Sequence, residues 1–190
     1  MEKWNSLWSK IPQRKKWRNK SVCYVFMNLI SINVYQYGRI WRKRGLILVA
    51  GCCMCKRSGE SINHLFLHCE VARTLWSVLF TLFGVKWVMN SKVLDLLACW
   101  KGQRGNKMVM EVWRMAPLCL TWTIWKERNA CRFEDMELTM AELNNRFLKL
   151  LFLWAGVLNI PQVSNMQQFV EIYASFYLWR GRFLCILPVY

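Results

Sequence analysis

From Cys69 to Phe83 the apolar residues return at intervals of three and four: Ala72, Leu75, Trp76, Leu79 and Phe83. That spacing predicts one face of an amphipathic helix of three to four turns, stopped by Gly84. Val93 to Trp100 predicts a second, short helix, and Lys101 to Asn106 is a polar break after it. Lys107 to Cys131 is mostly apolar with helical bias, and Pro117 within it predicts a kink or a fresh start. There Trp113, Ala116, Leu120 and Ile124 share one face, while Trp122, Trp125 and Arg128 form a second stripe. A tryptophan stripe at helical spacing reads as core before it reads as a binding platform. Leu143, Phe147, Leu150, Leu151, Trp154 and Leu158 predict the buried face of a further helix, ended by Gly156 and Pro161. Glu134, Asp135 and Glu137 are expected at its start, where the helix dipole favours negative charge. An aromatic amphipathic piece follows near Phe169 to Leu178, and Gly45 to Ala50 reads as a strand or an extended approach.

One stretch obeys neither period. Cys52-x2-Cys55-x8-His64-x4-Cys69 is spaced as metal ligands, and both histidines of the chain, His64 and His68, fall inside it. Zinc takes four thiolate or imidazole ligands in a tetrahedron, so this donor set suits it. The spacing leaves alternatives open. Cys53 can replace Cys52, His68 can replace His64, and buried cysteine is also an ordinary core residue. His64 and Cys69 lie five apart, about 500° around a helix. They converge on one ion only if the chain turns between them and the helix proper starts near Cys69.

The residues around these ligands carry a resemblance. Cys-x-x-Cys, then Gly59-Glu60-Ser61-x-x-His64-Leu65-Phe66-x-x-Cys69, then Ala72-x-x-x-Trp76, resembles the zinc-binding domain of reverse transcriptases from plant LINE-type (non-LTR) retrotransposons. Trp122-x-x-Trp125-x-x-Arg128-Asn129-x-x-x-Phe133 is similar to a segment that follows in that family. The resemblance covers roughly residues 41 to 158, with a short patch at Leu7 to Pro12, and residues 13–40 match it poorly. Its register selects Cys52, Cys55, His64 and Cys69 as ligands of one structural Zn²⁺. It implies a domain that follows the polymerase and helps to hold template RNA or target DNA. With the polymerase missing, it implies a fragment of a retrotransposon polyprotein.

Charge sharpens the picture. The 190-residue chain carries a net +16. Residues 1–57 hold 13 Lys and Arg against Glu2 alone, a balance of +12, and residues 58–190 hold 14 against 10, or +4. The basic character is thus an N-terminal arm, with Trp4, Trp8 and Trp17 set among its cations. Cations with interleaved aromatics suit single-stranded nucleic acid, phosphate to charge and base to ring. A solvated tail is the plainer reading of the same arm. The residues expected to contact RNA or DNA are Arg14, Lys15, Lys16, Arg42, Lys43, Arg44, Lys56, Arg57 and Arg73. Nine cysteines without a secretory leader point to a reducing compartment, nucleus or cytoplasm rather than secretion. No run reaches the roughly 18 to 20 apolar residues of a spanning helix, so no stable membrane insertion is expected.

Catalytic sets are missing. Asp95 and Asp135 are the only aspartates and do not form the cluster that two-metal phosphoryl transfer needs. There is no phosphate-cradling Gly-rich loop, and no Ser/His/Asp or Cys/His relay is available, because both histidines lie near the zinc ligands. Four protein ligands would also leave zinc no open position for an activated water. The expectation is a mainly α, non-enzymatic protein with no small-molecule substrate. Its parts are a basic arm over 1–44, a Cys-Cys-His-Cys zinc module over 45–84, a helical domain over 85–160 and a tail over 161–190. The rival expectations are a metal-free helical interaction module, a basic membrane-associated protein or a non-functional retroelement relic.

Overall fold

The structure, a computed structural model, describes residues 51–100, 107–157 and 165–179. Five α-helices carry it: α1 Glu70–Leu82, α2 Val93–Cys99, α3 Lys107–Phe133, α4 Met140–Val157 and α5 Met166–Trp179. A single π-helical turn, His64–His68, precedes α1. An isolated antiparallel bridge joins Gly51 and Gly59. The expected mainly α class is therefore the observed one. The strand expected at Gly45 to Ala50 and the polar break at Lys101 to Asn106 lie outside the described residues.

Helix α1 follows its apolar period. Ala72, Leu75, Trp76, Leu79 and Leu82 are buried on one face. Its end is chemical as well as steric. Gly84 takes φ 59°, a left-handed conformation that costs glycine little. Its N–H donates to the Thr81 carbonyl at 3.1 Å, and the Val85 N–H reaches the Phe80 carbonyl at 2.9 Å. That is the Schellman pattern, which satisfies carbonyls the helix leaves open.

Helix α3 runs through Pro117 without restarting. Proline has no N–H to give the carbonyl four residues back, that of Trp113. The indole Nε1–H of Trp100 donates to this carbonyl at 2.9 Å instead. The two rings also stack, with centroids 4.1 Å apart. A residue just past the end of α2 thus supplies the hydrogen bond that the ladder of α3 lacks. Trp122 and Trp125 are 7% and 3% exposed, so the second stripe is core and not a platform. Thr121 and Thr123, also buried, return their hydroxyls to the Pro117 and Cys119 carbonyls at 2.9 Å each.

The start of α4 differs from the expectation. Glu134, Asp135 and Glu137 lie in the connection before the helix, not in its first turn. The chain leaves α3 through Asp135 at φ 53°, which carries it away from the helical path. Thr139 and Glu142 form the start instead. The Glu142 N–H donates to Thr139 Oγ1 at 3.3 Å, and the Thr139 N–H donates to Glu142 Oε2 at 2.9 Å. This reciprocal pair is a capping box. It holds the Glu142 carboxyl below the usual carboxylate range through the Thr139 side chain first and its backbone second. Leu143, Phe147, Leu151 and Ala155 then bury one stripe, with Leu150 and Trp154 at its margin.

One core joins these elements, from Cys52 at the start of the chain's described part to Tyr173 on α5. Buried Glu127 stitches α3 to α4, accepting the Leu138 N–H at 2.8 Å and facing Arg146 at 3.6 Å. Helix α5 lies against α1 and α4 through Phe83–Tyr173 and Phe152–Phe169 edge contacts at 5.5 and 5.6 Å. No helix among the described residues is long and apolar enough to cross a membrane.

Trp100→Phe keeps a ring in the stack but deletes the donor to the Trp113 carbonyl. Leaving a buried carbonyl short of its partner costs about 1–3 kcal/mol. A lower midpoint in urea or thermal unfolding, with helical content unchanged, is the expected result.

Candidate metal centre

The four donors arrive from three local structures, each with its own reason. The first is a tight knuckle over residues 52–58. The Cys52 N–H donates to the Ser58 carbonyl at 2.7 Å, and the Lys56 N–H returns to the Cys52 carbonyl at 2.8 Å. Lys56 sits at φ 57°, the left-handed position that lets so short a loop close. In this fold the backbone N–H groups of Cys55 and Met54 point at the Cys52 sulfur.

His64 comes from the π-helical turn. Its N–H is capped by Ser61 Oγ at 3.1 Å, and Leu65 N–H donates to the Ser61 carbonyl at 2.8 Å. A π turn holds more residues than an α turn. The extra residue absorbs the angular mismatch between positions 64 and 69: the Cys69 N–H reaches the His64 carbonyl at 2.6 Å. Cys69 itself has φ −58° and ψ 136°, extended rather than helical, and is the residue from which α1 departs. The N–H groups of Val71 and Ala72 in the first turn of α1 face its sulfur. The chain thus turns between His64 and Cys69, with the helix beginning at Glu70.

These three pieces bring Cys52, Cys55, His64 and Cys69 together, with one ligand atom from each and all four within 4.8 Å of one another. Cys52 Sγ and Cys69 Sγ are 3.8 Å apart. Cys55 Sγ and His64 Nε2 are 3.3 Å apart. Four ligands about 2.0–2.3 Å from a tetrahedral centre lie roughly 3.3–3.8 Å from each other, and these two distances match that spacing. The donor chemistry fits as well: three sulfurs and one imidazole nitrogen form a Cys3His set. Cys52 and Cys69 are buried, and Cys55 and His64 are partly so.

Electrostatics within the set is already uneven. The Cys69 thiol beside it holds Cys52 down to about 5, aided by the Cys55 and Met54 N–H groups against the opposing effect of burial. Cys69 is pushed up, first by that shared proton and then by burial. The two sulfurs face each other across one S–H···S contact of 3.8 Å. An arriving cation has to displace that proton, and the N–H groups aimed at both sulfurs stabilise the negative charge that remains.

The two alternative donors are occupied elsewhere. Cys53 points away from the cluster, and its thiol donates to the Arg128 carbonyl at 3.6 Å. Burial first, and the neighbouring Cys131 second, push it up to about 12, so it stays protonated. His68 Nε2 lies 3.0 Å from the Ser91 carbonyl, far along the chain from the cluster. Beside it, Asn63 Oδ1 accepts the Val93 N–H at 3.1 Å, so the π turn also caps α2.

Of the residues expected at nucleic acid, Lys56, Arg57 and Arg73 are described, and Arg14, Lys15, Lys16, Arg42, Lys43 and Arg44 lie outside the described residues. Lys56 pairs with Glu137 at 2.8 Å, which raises the ammonium and lowers the carboxyl in turn. Arg57 pairs with Glu70 at 2.8 Å. Both pairs are exposed and screened by solvent. Against ~10–16 kcal/mol for structural zinc in small peptides, they do not decide whether the module holds together. Arg73 projects from the exposed side of α1. Two of these three are thus paired with carboxylates, Lys56 with Glu137 and Arg57 with Glu70.

Sequence reasoning passed over one contact. Glu60, inside the module, accepts from Arg128 Nη2 at 2.6 Å and from Arg128 Nε at 3.1 Å. The two side chains are 12% and 5% exposed. The signal was present in the residues: an Arg at the end of a tryptophan stripe is an unlikely core residue unless something pairs with it.

A family model described as zinc-binding in reverse transcriptase matches residues 2–76. That stretch contains all four converging donors and ends within α1. It is less than half of the chain and excludes α3, so the Trp122 to Phe133 segment lies beyond it. No curated protein and no solved structure matches the chain.

Elemental analysis of purified protein gives the direct check on the donor set. Cys69→Ser and His64→Ala are expected to abolish bound zinc, and Cys53→Ser and His68→Ala to leave it near the wild-type ratio. The metal should also be shed as the pH is lowered from about 7.5 to about 5, because protons compete for the same sulfurs and nitrogen. A large loss in Cys53→Ser or His68→Ala would place the ion on a different set of ligands.

Proposed function

We propose that this chain is a non-catalytic zinc-binding module of reverse-transcriptase type that works alongside nucleic acid. The observation that carries this reading is the convergence of Cys52, Cys55, His64 and Cys69 within 4.8 Å. The similarity of residues 2–76 to a zinc-binding domain in reverse transcriptase supports it. One bound Zn²⁺ would supply a rigid tetrahedral cross-link between knuckle, π turn and α1, and no open position for substrate.

With three thiolates and a neutral imidazole, the loaded centre carries a net charge of about −1 and repels phosphate rather than binding it. Contact with RNA or DNA therefore falls to the cations around it. Arg14, Lys15, Lys16, Arg42, Lys43 and Arg44 in the arm are the main candidates, with Lys56, Arg57 and Arg73 on the module. The exposed ion pairs of Lys56 and Arg57 are weak enough to be exchanged for phosphate. In this reading the protein is a piece of a retrotransposon polyprotein of plant LINE type, acting in nucleus or cytoplasm. It holds template or target rather than transforming it, and it has no small-molecule substrate.

The test couples metal content to nucleic-acid affinity in one preparation. The wild type is expected to carry one zinc per chain and to bind single-stranded RNA with a log–log salt slope set by the phosphates it neutralises. Replacing Arg14, Lys15 and Lys16 together by Gln should weaken binding on every RNA sequence alike and flatten that slope by about 2–3 units. Zinc without any salt-dependent RNA binding would leave a metal module and sink the nucleic-acid role. Equal affinity for anionic vesicles would point to a membrane surface instead.

A further inference from the structure

The shortest side-chain contact from the loop between the second and third donors is made to a helix residue more than fifty positions beyond the last donor. Glu60 lies between the second and third donors, Cys55 and His64. Arg128 lies in the last two turns of α3. The guanidinium gives one carboxylate two N–H groups, from Nη2 at 2.6 Å and Nε at 3.1 Å to Oε1, with Nε also 3.4 Å from Oε2. Its remaining arm, Nη1, donates to Asn129 Oδ1 at 3.2 Å. The Trp125 and Phe133 rings flank it, with centroids 5.4 and 5.7 Å from Cζ. The main chain at the same residue is engaged as well, because the Arg128 carbonyl accepts the Cys53 thiol. Arg128 therefore meets the loop twice, between the first two donors at Cys53 and beyond them at Glu60.

We propose that Arg128 is the positioning residue of the metal centre, holding the Cys52–Cys55 knuckle against α3 through Glu60 so that the four donors stay converged. The inference rests on the zinc-binding reading above and extends the metal module to a helix that the family match does not reach. A buried ion pair is weak as a source of stability but strong as a fixer of geometry, since either partner alone is left with an uncompensated charge. The fork of an arginine matters here. A lysine offers one point charge and cannot hold Glu60 through two N–H groups while reaching Asn129. Groups that orient metal ligands from behind change metal affinity by about 10–100-fold when removed.

The experiment measures zinc affinity of the full chain by competition with a chromophoric chelator, and the visible spectrum of the cobalt(II)-substituted protein. Arg128→Lys and Glu60→Gln are expected to weaken zinc about 10–100-fold with all four ligands intact, and to shift the cobalt ligand-field bands. The charge-swapped pair Glu60→Arg with Arg128→Glu should recover part of that affinity. Trp100→Phe serves as the control, because it destabilises the helical body away from the knuckle. If Trp100→Phe loses as much zinc as Arg128→Lys, the effect is general instability and the positioning role is overturned. Zinc affinity within about twofold of wild type in both Arg128→Lys and Glu60→Gln overturns it as well, far below the expected change. A wild type that binds no zinc overturns the zinc reading and this inference together, which separates that failure from the others.

Discussion

Four electron-rich atoms aimed at one point repel one another, and everything between residues 52 and 72 is arranged to hold them there. The knuckle closes through a left-handed Lys56, the π turn takes up the angle between His64 and Cys69, and α1 starts only once Cys69 has been delivered. Backbone N–H groups face two of the sulfurs. Those dipoles favour thiolate over thiol, which is the form a cation needs. A chain that merely buried its cysteines would have no cause to aim amide groups at them. Cys119 is that contrasting case: it is buried in α3, and apolar surroundings alone push its thiol well up.

Much of this was legible beforehand, and the reasons are particular. The apolar period fixed the face of α1 at Ala72, Leu75, Trp76 and Leu79 because every position obeys one rule, burial. The requirement that the chain turn between His64 and Cys69 followed from helix geometry alone, and the π turn is how this sequence meets it. Other features depended on partners distant in sequence. Glu134, Asp135 and Glu137 carry the right charge for a helix start, but Thr139 and Glu142 satisfy the open N–H groups and so set the boundary. The choice between Cys52 and Cys53 is likewise made by α3, whose Arg128 carbonyl takes the second thiol. Spacing describes what neighbours in sequence can do. It is silent about a carbonyl seventy-five residues away.

Two stretches far apart in the chain meet in the fold. Gly59-Glu60-Ser61 and Trp125-x-x-Arg128-Asn129 look like separate motifs in the sequence. In the fold Glu60 and Arg128 are two halves of one contact, and Trp125 forms a wall beside it. Ser61 of the first stretch caps His64, so the loop that reaches α3 is the same loop that orients the imidazole. Local structure, packing and site chemistry thus meet in about six residues on either side of Glu60. The exposed pairs at Lys56 and Arg57 sit nearby but lack that burial, and solvent can replace either partner.

The hydrogen bond between the Trp100 indole and the Trp113 carbonyl binds together the fates of two positions that never touch in sequence. Proline inside a helix is usually a fault that alanine repairs. At Pro117 the repair would give the Trp113 carbonyl a second donor, from its own helix, beside the indole N–H of Trp100. Removing the indole first would take away the 2.9 Å hydrogen bond to the carbonyl while proline still denies it an amide. The loss of the indole therefore weighs more with proline at 117 than it would with alanine there, because an alanine N–H would still reach the Trp113 carbonyl.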